Sequence, residues 1–193
     1  MTFILISGEM NVGKTYVCNK LHQIIDKDKT FTVHNRQKNN VMERYDFFAH
    51  YEKDGKHIVL NSPSGKDSSL IETCQYLDSL VQSGVRPDVV ITTIRETDDI
   101  NKKEYPMSRM LALLEAIANG TTNLKAYCAS NIAANPIPTP FAPTGLVHNV
   151  FVLHLEQQQV SGRKEEKNKA LGQYADGKAD TAKQMLDLAI ERL

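Results

Sequence analysis

Cysteine is scarce and unpaired in this chain: Cys18, Cys74 and Cys128 are widely spaced, odd in number and form no Cys-x-x-Cys pair. That usage argues against a disulfide-stapled secreted module and predicts a reducing, cytoplasmic setting. Long apolar runs are missing as well. Nowhere do about 18 consecutive apolar residues occur, so neither a membrane-spanning helix nor a membrane partner is expected. Met1 to Ser7 has no basic start, no extended hydrophobic region and no small-residue cleavage site, so no export signal is read there. An excess of one charge sign is also absent, because 23 Lys plus Arg balance 23 Asp plus Glu. Zero net charge argues against a strongly basic nucleic-acid module, whose non-specific affinity needs clustered cations, although it leaves room for a local basic patch. There is no internal repeat and no low-complexity tract. What remains is an ordinary globular composition, 41% hydrophobic and 24% charged, over 193 residues. That length is read as a single domain, residues 1–193.

Short apolar runs alternate with amphipathic stretches along the chain, the rhythm of βαβ units. The fold class expected is α/β, a three-layer sandwich around a mostly parallel sheet. Phe3 to Ile6 reads as a buried first strand, and Lys14 to Asp26 as a helix with Val17, Leu21, Ile24 and Ile25 on one face. Thr30 to His34 is a second strand. Asp46 to Tyr51 and His57 to Leu60 flank Asp54-Gly55, a hairpin signal. Ser68 to Val81 reads as a helix, Asp88 to Ile94 as a buried strand, and Met107 to Ala118 as a helix stopped by Asn119-Gly120. Leu124 to Ala129 and Val150 to Leu155 are further strands. A last helix is expected from about Asp180 to Leu193, with Ala182, Met185, Leu186, Ala189 and Leu193 inward. One segment, Ala126 to Leu155, contains no Asp, Glu, Lys or Arg and holds Pro136, Pro138, Pro140 and Pro143. Linkers are usually polar and charged, so this stretch reads as packed, either on the domain itself or as a base or partner pocket.

Gly8-Glu9-Met10-Asn11-Val12-Gly13-Lys14-Thr15 fits G-x-x-x-x-G-K-[ST], the P-loop, and lies between the first strand and a helix as that motif requires. The chemistry dictates this order of residues. Glycines let successive backbone N–H groups converge on phosphate oxygens, and the following helix adds its positive N-terminus. Lys14 would reach the β- and γ-phosphates, and the Thr15 hydroxyl would ligate Mg²⁺. The cofactors expected are therefore ATP and Mg²⁺, within a P-loop NTPase fold, and the whole octet from Gly8 to Thr15 is the expected nucleotide-binding stretch.

The strand His57 to Leu60 runs into Asn61-Ser62-Pro63-Ser64-Gly65. That loop resembles the Asp-Ser/Thr-Pro-Ala-Gly loop of the ParA/MinD family of partition ATPases, with Asn61 where the family has Asp. Val33 to Asn39 is similar to the family's Asp-Pro-Gln-Gly-Asn stretch, with Asn35 again in place of Asp. Asp88 to Ile94 resembles the strand after the switch loop, Ala129-Ser130-Asn131 the stretch whose Asn meets the adenine, and Thr181 to Leu193 the closing helix. The loop is also similar to those of small relatives in plasmid stabilisation and conjugative transfer. The resemblance spans most of the chain, but only the P-loop and the Asn-Ser-Pro-Ser-Gly loop are specific. It implies an ATP-gated switch in plasmid or chromosome partition, stability or DNA transfer. ATP/ADP, a homodimer and a DNA-bound or segregation partner protein are the partners implied. By the same resemblance Lys14, Asn35 and Asn61 would be the catalytic positions and Asn131 a base contact.

The departures weaken the chemistry. The family's extra P-loop lysine falls at Glu9, and two amides stand where carboxylates would hold Mg²⁺ and align water; an amide brings no negative charge to the metal. Binding with slow or absent hydrolysis is therefore expected. Asp67 reads as a helix N-cap and Lys66 as solvated. Asn101-Lys102-Lys103-Glu104 falls one residue short of the guanine motif Asn-Lys-x-Asp inside a charged run, which favours ATP over GTP. Cys18 and His22, one helical turn apart, lack two further metal ligands and read as packing. His148 and His154 receive no role, and Arg163 to Lys169, mixed in sign, reads as a solvated face. The closing helix has no Lys-rich amphipathic extension that would hold a membrane. The alternative is a small-molecule kinase or dethiobiotin-synthetase-like enzyme of the same fold, with Lys38 or Arg95 shaping an acceptor site.

Overall fold

The computed structural model describes residues 2–9, 12–38, 47–62, 79–80, 82–95 and 149–193. Their order is β1 (Thr2–Gly8), α1 (Lys14–Lys27), β2 (Thr32–Lys38), β3 (Phe47–Lys53), β4 (Lys56–Ser62), β5 (Val89–Arg95), β6 (Asn149–His154) and α2 (Lys164–Glu191). The strands form one six-stranded sheet in the order β2-β3-β4-β5-β1-β6. β4, β5, β1 and β6 pair in parallel, and β3 runs against both β2 and β4. The class is α/β, and the sheet is mixed. The antiparallel β3–β4 pair follows from the two-residue turn at Asp54-Gly55, with φ of 52° and 72°. Positive φ at both positions matches the right-handed twist of the flanking strands, so β3 must fold straight back onto β4.

Every residue of β1 is buried. A central strand flanked on both edges has no solvated side, which is why Phe3-Ile4-Leu5-Ile6 is a continuous apolar run. Ile4, Ile6, Ala49, Tyr51, Ile58, Leu60, Val89 and Ile91 pack against Val17, Leu21 and Ile25 of α1 and Ala179, Ala182 and Leu186 of α2. Each large apolar side chain buried there contributes about 1.5–3 kcal/mol. By strand alternation Phe3, Leu5, Val59 and Val90 face away from α1 and α2, yet they are buried too. Both faces of the central strands are thus shielded from water.

α2 departs from the expected boundaries, starting at Lys164 rather than near Asp180. Its first turns are the exposed run that the charge pattern marked as solvated. Gly172 and Gly177 lower helix propensity, and the buried stripe begins with Ala175 and Ala179, whose small side chains leave a faint hydrophobic period. Those alanines let α2 approach α1, where Lys20 Nζ meets Asp176 Oδ1 at 3.0 Å. Leu193, expected inward, is 38% exposed because the helix ends at Glu191. β2 also shifts, running from Thr32 to Lys38 rather than 30–34. The last turn of the helix expected at 68–81 survives at Ser79, whose carbonyl accepts from the Ser83 amide at 3.0 Å. The rest of that helix, the helix at 107–118, the strand at 124–129 and the uncharged stretch up to residue 148 lie outside the described residues.

Candidate functional site

Parallel pairing brings the carboxyl ends of β4, β5, β1 and β6 to one edge of the sheet. In open α/β sheets that edge is where ligands bind. Gly8 ends β1 there, opposite Arg95 of β5, and the preceding Ser7 lies opposite His154 of β6. Gly8 has φ 148°, and a methyl group on it would stand 2.6 Å from the Leu155 carbonyl oxygen and 2.8 Å from Val12 Cγ2. Only glycine fits this position. The Leu155 amide donates to the Ser7 carbonyl at 2.8 Å, so β6 forms one wall of the loop's start.

Gly13, at φ 93° and ψ 18°, is the left-handed residue from which α1 departs, and its carbonyl accepts the first helical bond from Val17 at 3.0 Å. No acidic residue occupies the first turn of α1, so its positive end is not neutralised from within the helix. The Lys14 ammonium folds back over the loop and donates to the Gly8 carbonyl at 2.7 Å and the Glu9 carbonyl at 2.6 Å. Thr15 is half-buried in the first turn of α1, and Val12 packs on the core. Gly8, Glu9, Val12, Gly13, Lys14 and Thr15 are therefore gathered in one place; Met10 and Asn11 lie outside the described residues.

The other expected residues divide. Asn61 is buried near the end of β4, and β5 stands between β4 and β1. Two strand spacings put its backbone about 10 Å from that of β1. Its carbonyl accepts from Cys18 Sγ of α1 at 3.9 Å, which ties the end of β4 to the helix that follows the loop. Asn35 is not brought near: β2 is the far edge strand, four spacings or about 19 Å from β1. Asn35 pairs instead with His50, just past a bulge in β2. Asn131, Lys66, Asp67 and residues 101–104 lie outside the described residues.

Cys18 and His22 turn into the core. Burial pushes the Cys18 thiol up to about 12, against a small lowering by the Ser62 hydroxyl, so it stays protonated at neutral pH and is no thiolate ligand. His22 Nδ1 is hydrogen-bonded to the Tyr51 hydroxyl, which donates to Asp26 Oδ1 at 3.2 Å. His154, to which the sequence assigned nothing, lies with Nδ1 3.5 Å from Ser7 Oγ at the edge of the loop. No sequence signal marks it, because only the parallel pairing of β6 with β1 brings it to the loop. Away from this edge, burial holds the His50 imidazole down at about 4, with His34 and His57 adding to the lowering and Glu52 opposing it.

No protein-family model, no curated protein and no solved structure matches the chain. Among the described residues, no helix is long and apolar enough to cross a membrane.

Proposed function

We propose that the chain is a ParA/MinD-like P-loop protein that binds ATP with Mg²⁺ at the Gly8–Thr15 loop and acts as a nucleotide-gated switch. The supporting observation is the loop itself. A G-x-x-x-x-G-K-T octet leaves the carboxyl end of a fully buried central strand and enters a helix, and its lysine ammonium sits on the carbonyls of Gly8 and Glu9. The fit to a polyphosphate rests on two features. Gly13 has nothing within 4 Å of where a Cβ would stand, which leaves open space at the start of α1, and the Lys14 ammonium sits on backbone carbonyls that charged phosphate oxygens can displace.

Lys14 and the backbone amides at the start of α1 would hold the phosphates, and Thr15 would supply a hydroxyl to Mg²⁺. Mg²⁺ supplies charge neutralisation between phosphate oxygens when bound. Asn61 offers a neutral amide, so the hold on the metal depends mainly on the nucleotide, and hydrolysis is slow or absent. The contact between Cys18 and the Asn61 carbonyl couples α1 to the end of β4, a route by which the loop after Ser62 responds to the γ-phosphate. A homodimer, a segregation or DNA-bound partner and a cytoplasmic setting belong to this same reading.

Calorimetry with ATP, ADP and GTP, each with and without Mg²⁺, tests it. Binding of ATP in preference to GTP, with little phosphate release, is the expected result. Absence of binding by any of the three overturns the proposal. Turnover as fast as that of a family member with both carboxylates overturns the weakened-site part.

A further inference from the structure

The face of the sheet away from α1 and α2 carries a cluster that the nucleotide reading does not use. Three of the chain's six histidines meet there with one glutamate: His34 on β2, His50 and Glu52 on β3, and His57 on β4. His34 Nε2 lies 2.7 Å from Glu52 Oε2, and His50 Nε2 lies 3.1 Å from His57 Nδ1. The His34 and His50 rings stack with centroids 4.8 Å apart, and His57 is 5.2 Å from His50 and 5.8 Å from His34.

Backbone register creates this arrangement. Glu52 stands directly opposite His57 across the β3–β4 pair, so these two side chains share a face. On the other side of β3, the bulge between Val33 and Asn35 sets two residues of β2 against one of β3 and re-aims the β2 side chains. The tight turn at Asp54-Gly55 holds β3 and β4 in register, so Glu52 and His57 stand on a rigid scaffold.

We propose that His34, Glu52 and His57 form a binding site for a divalent transition-metal ion, Zn²⁺ foremost. The donor atoms that these three residues offer all lie within 4.8 Å of one another. Two ligands at about 2.0–2.1 Å from a tetrahedral zinc stand about 3.3 Å apart, so small side-chain rotations convert the cluster into a coordination shell. Two imidazoles with one carboxylate suit a borderline ion, whereas Mg²⁺ and Ca²⁺ demand oxygen donors. His34 and Glu52 are each more than a third exposed at the side chain, which leaves a path of entry and room for a water ligand. An ion held by ligands on three adjacent strands would also clip the edge strand β2 to the sheet. This inference is independent of the nucleotide reading.

The test uses the full chain without a polyhistidine tag, stripped with chelator and titrated with Zn²⁺ alone and with Mg²⁺ alone. One Zn²⁺ per chain, no Mg²⁺ binding, and a loss of affinity on the order of 100-fold in His34→Gln and in Glu52→Gln are the results expected. A stoichiometry well below one, or wild-type affinity in both variants, overturns the proposal. Histidine ring NMR signals of the wild type supply a readout that needs no variant to fold. Zn²⁺ must shift the rings of His34 and His57, and shifts confined to His22, His148 or His154 overturn the proposal as well.

Discussion

Replacing Lys14 with alanine separates a binding role from a structural one. In the free protein the ammonium donates to the Gly8 and Glu9 carbonyls, at 2.7 and 2.6 Å, one bond part-buried and the other exposed. Water replaces such partners readily, and the net loss of stability is about 1 kcal/mol. Against a polyphosphate the same ammonium makes charge-assisted bonds of about 1.5–3 kcal/mol each. Taking about 3 kcal/mol for the lysine as a whole gives a loss of roughly 100-fold in affinity. The assay is thermal unfolding with ATP and Mg²⁺ at about 100 times the wild-type Kd, where ligand binding adds about 2.7 kcal/mol of stability. For a chain of this size each kcal/mol moves Tm by about 2–4 °C, so the wild type should rise by about 5–11 °C. In Lys14→Ala the same ligand concentration sits near the Kd, which leaves about 0.4 kcal/mol, or roughly 1 °C. An undiminished rise in the variant refutes the reasoning. So does a variant that loses most of its stability with no nucleotide present, because the lysine would then be structural.

Two further outcomes are expected. Gly8→Ala and Gly13→Ala both place a side chain at positive φ, but only at Gly8 would the new methyl strike backbone, 2.6 Å from the Leu155 oxygen, whereas nothing lies within 4 Å at Gly13. Urea unfolding should therefore show a loss of about 1–2 kcal/mol at Gly13 and distinctly more at Gly8; equal losses would contradict the close approach of β6. Cys18 supplies a pH dependence. Its thiol titrates near 9.0 when unfolded and at about 12 when folded, so the folded state keeps a proton that the unfolded chain gives up. Its stabilisation is complete below pH 9 and falls by about 1.4 kcal/mol per unit as pH rises from there towards 12. The stability difference between wild type and Cys18→Ala should shrink accordingly above pH 9, and a constant difference would place the thiol near water.

Elements whose cause is local were legible from residues alone. The helix α1 follows from apolar spacing after Gly13, and the β3–β4 hairpin follows from Asp54-Gly55, a pair that readily takes the two positive φ values of a tight two-residue turn. The long reach of α2 was not legible. Its buried stripe begins with alanines, and their value lies in letting another helix come close, which no single-helix pattern reveals. The candidate loop was readable for the same local reason: its glycines, lysine and threonine act within eight consecutive residues.

Distances between strands are another matter. Nothing in the residues around Asn35 and Asn61 says that one strand separates β4 from β1 while β2 lies at the opposite edge. Asn61 and Asn35 therefore looked equivalent in the sequence and differ by about 9 Å in their lateral distance from β1. The histidine and glutamate cluster depends still more on assembly, since His34 and His57 are brought together by two strand registers and a bulge. Local periodicity and turn chemistry settle which segments become strands and helices, because those choices are made by neighbours in the chain. Which strand ends converge and which side chains share a face is settled by pairing register, a property that exists only once the sheet has formed.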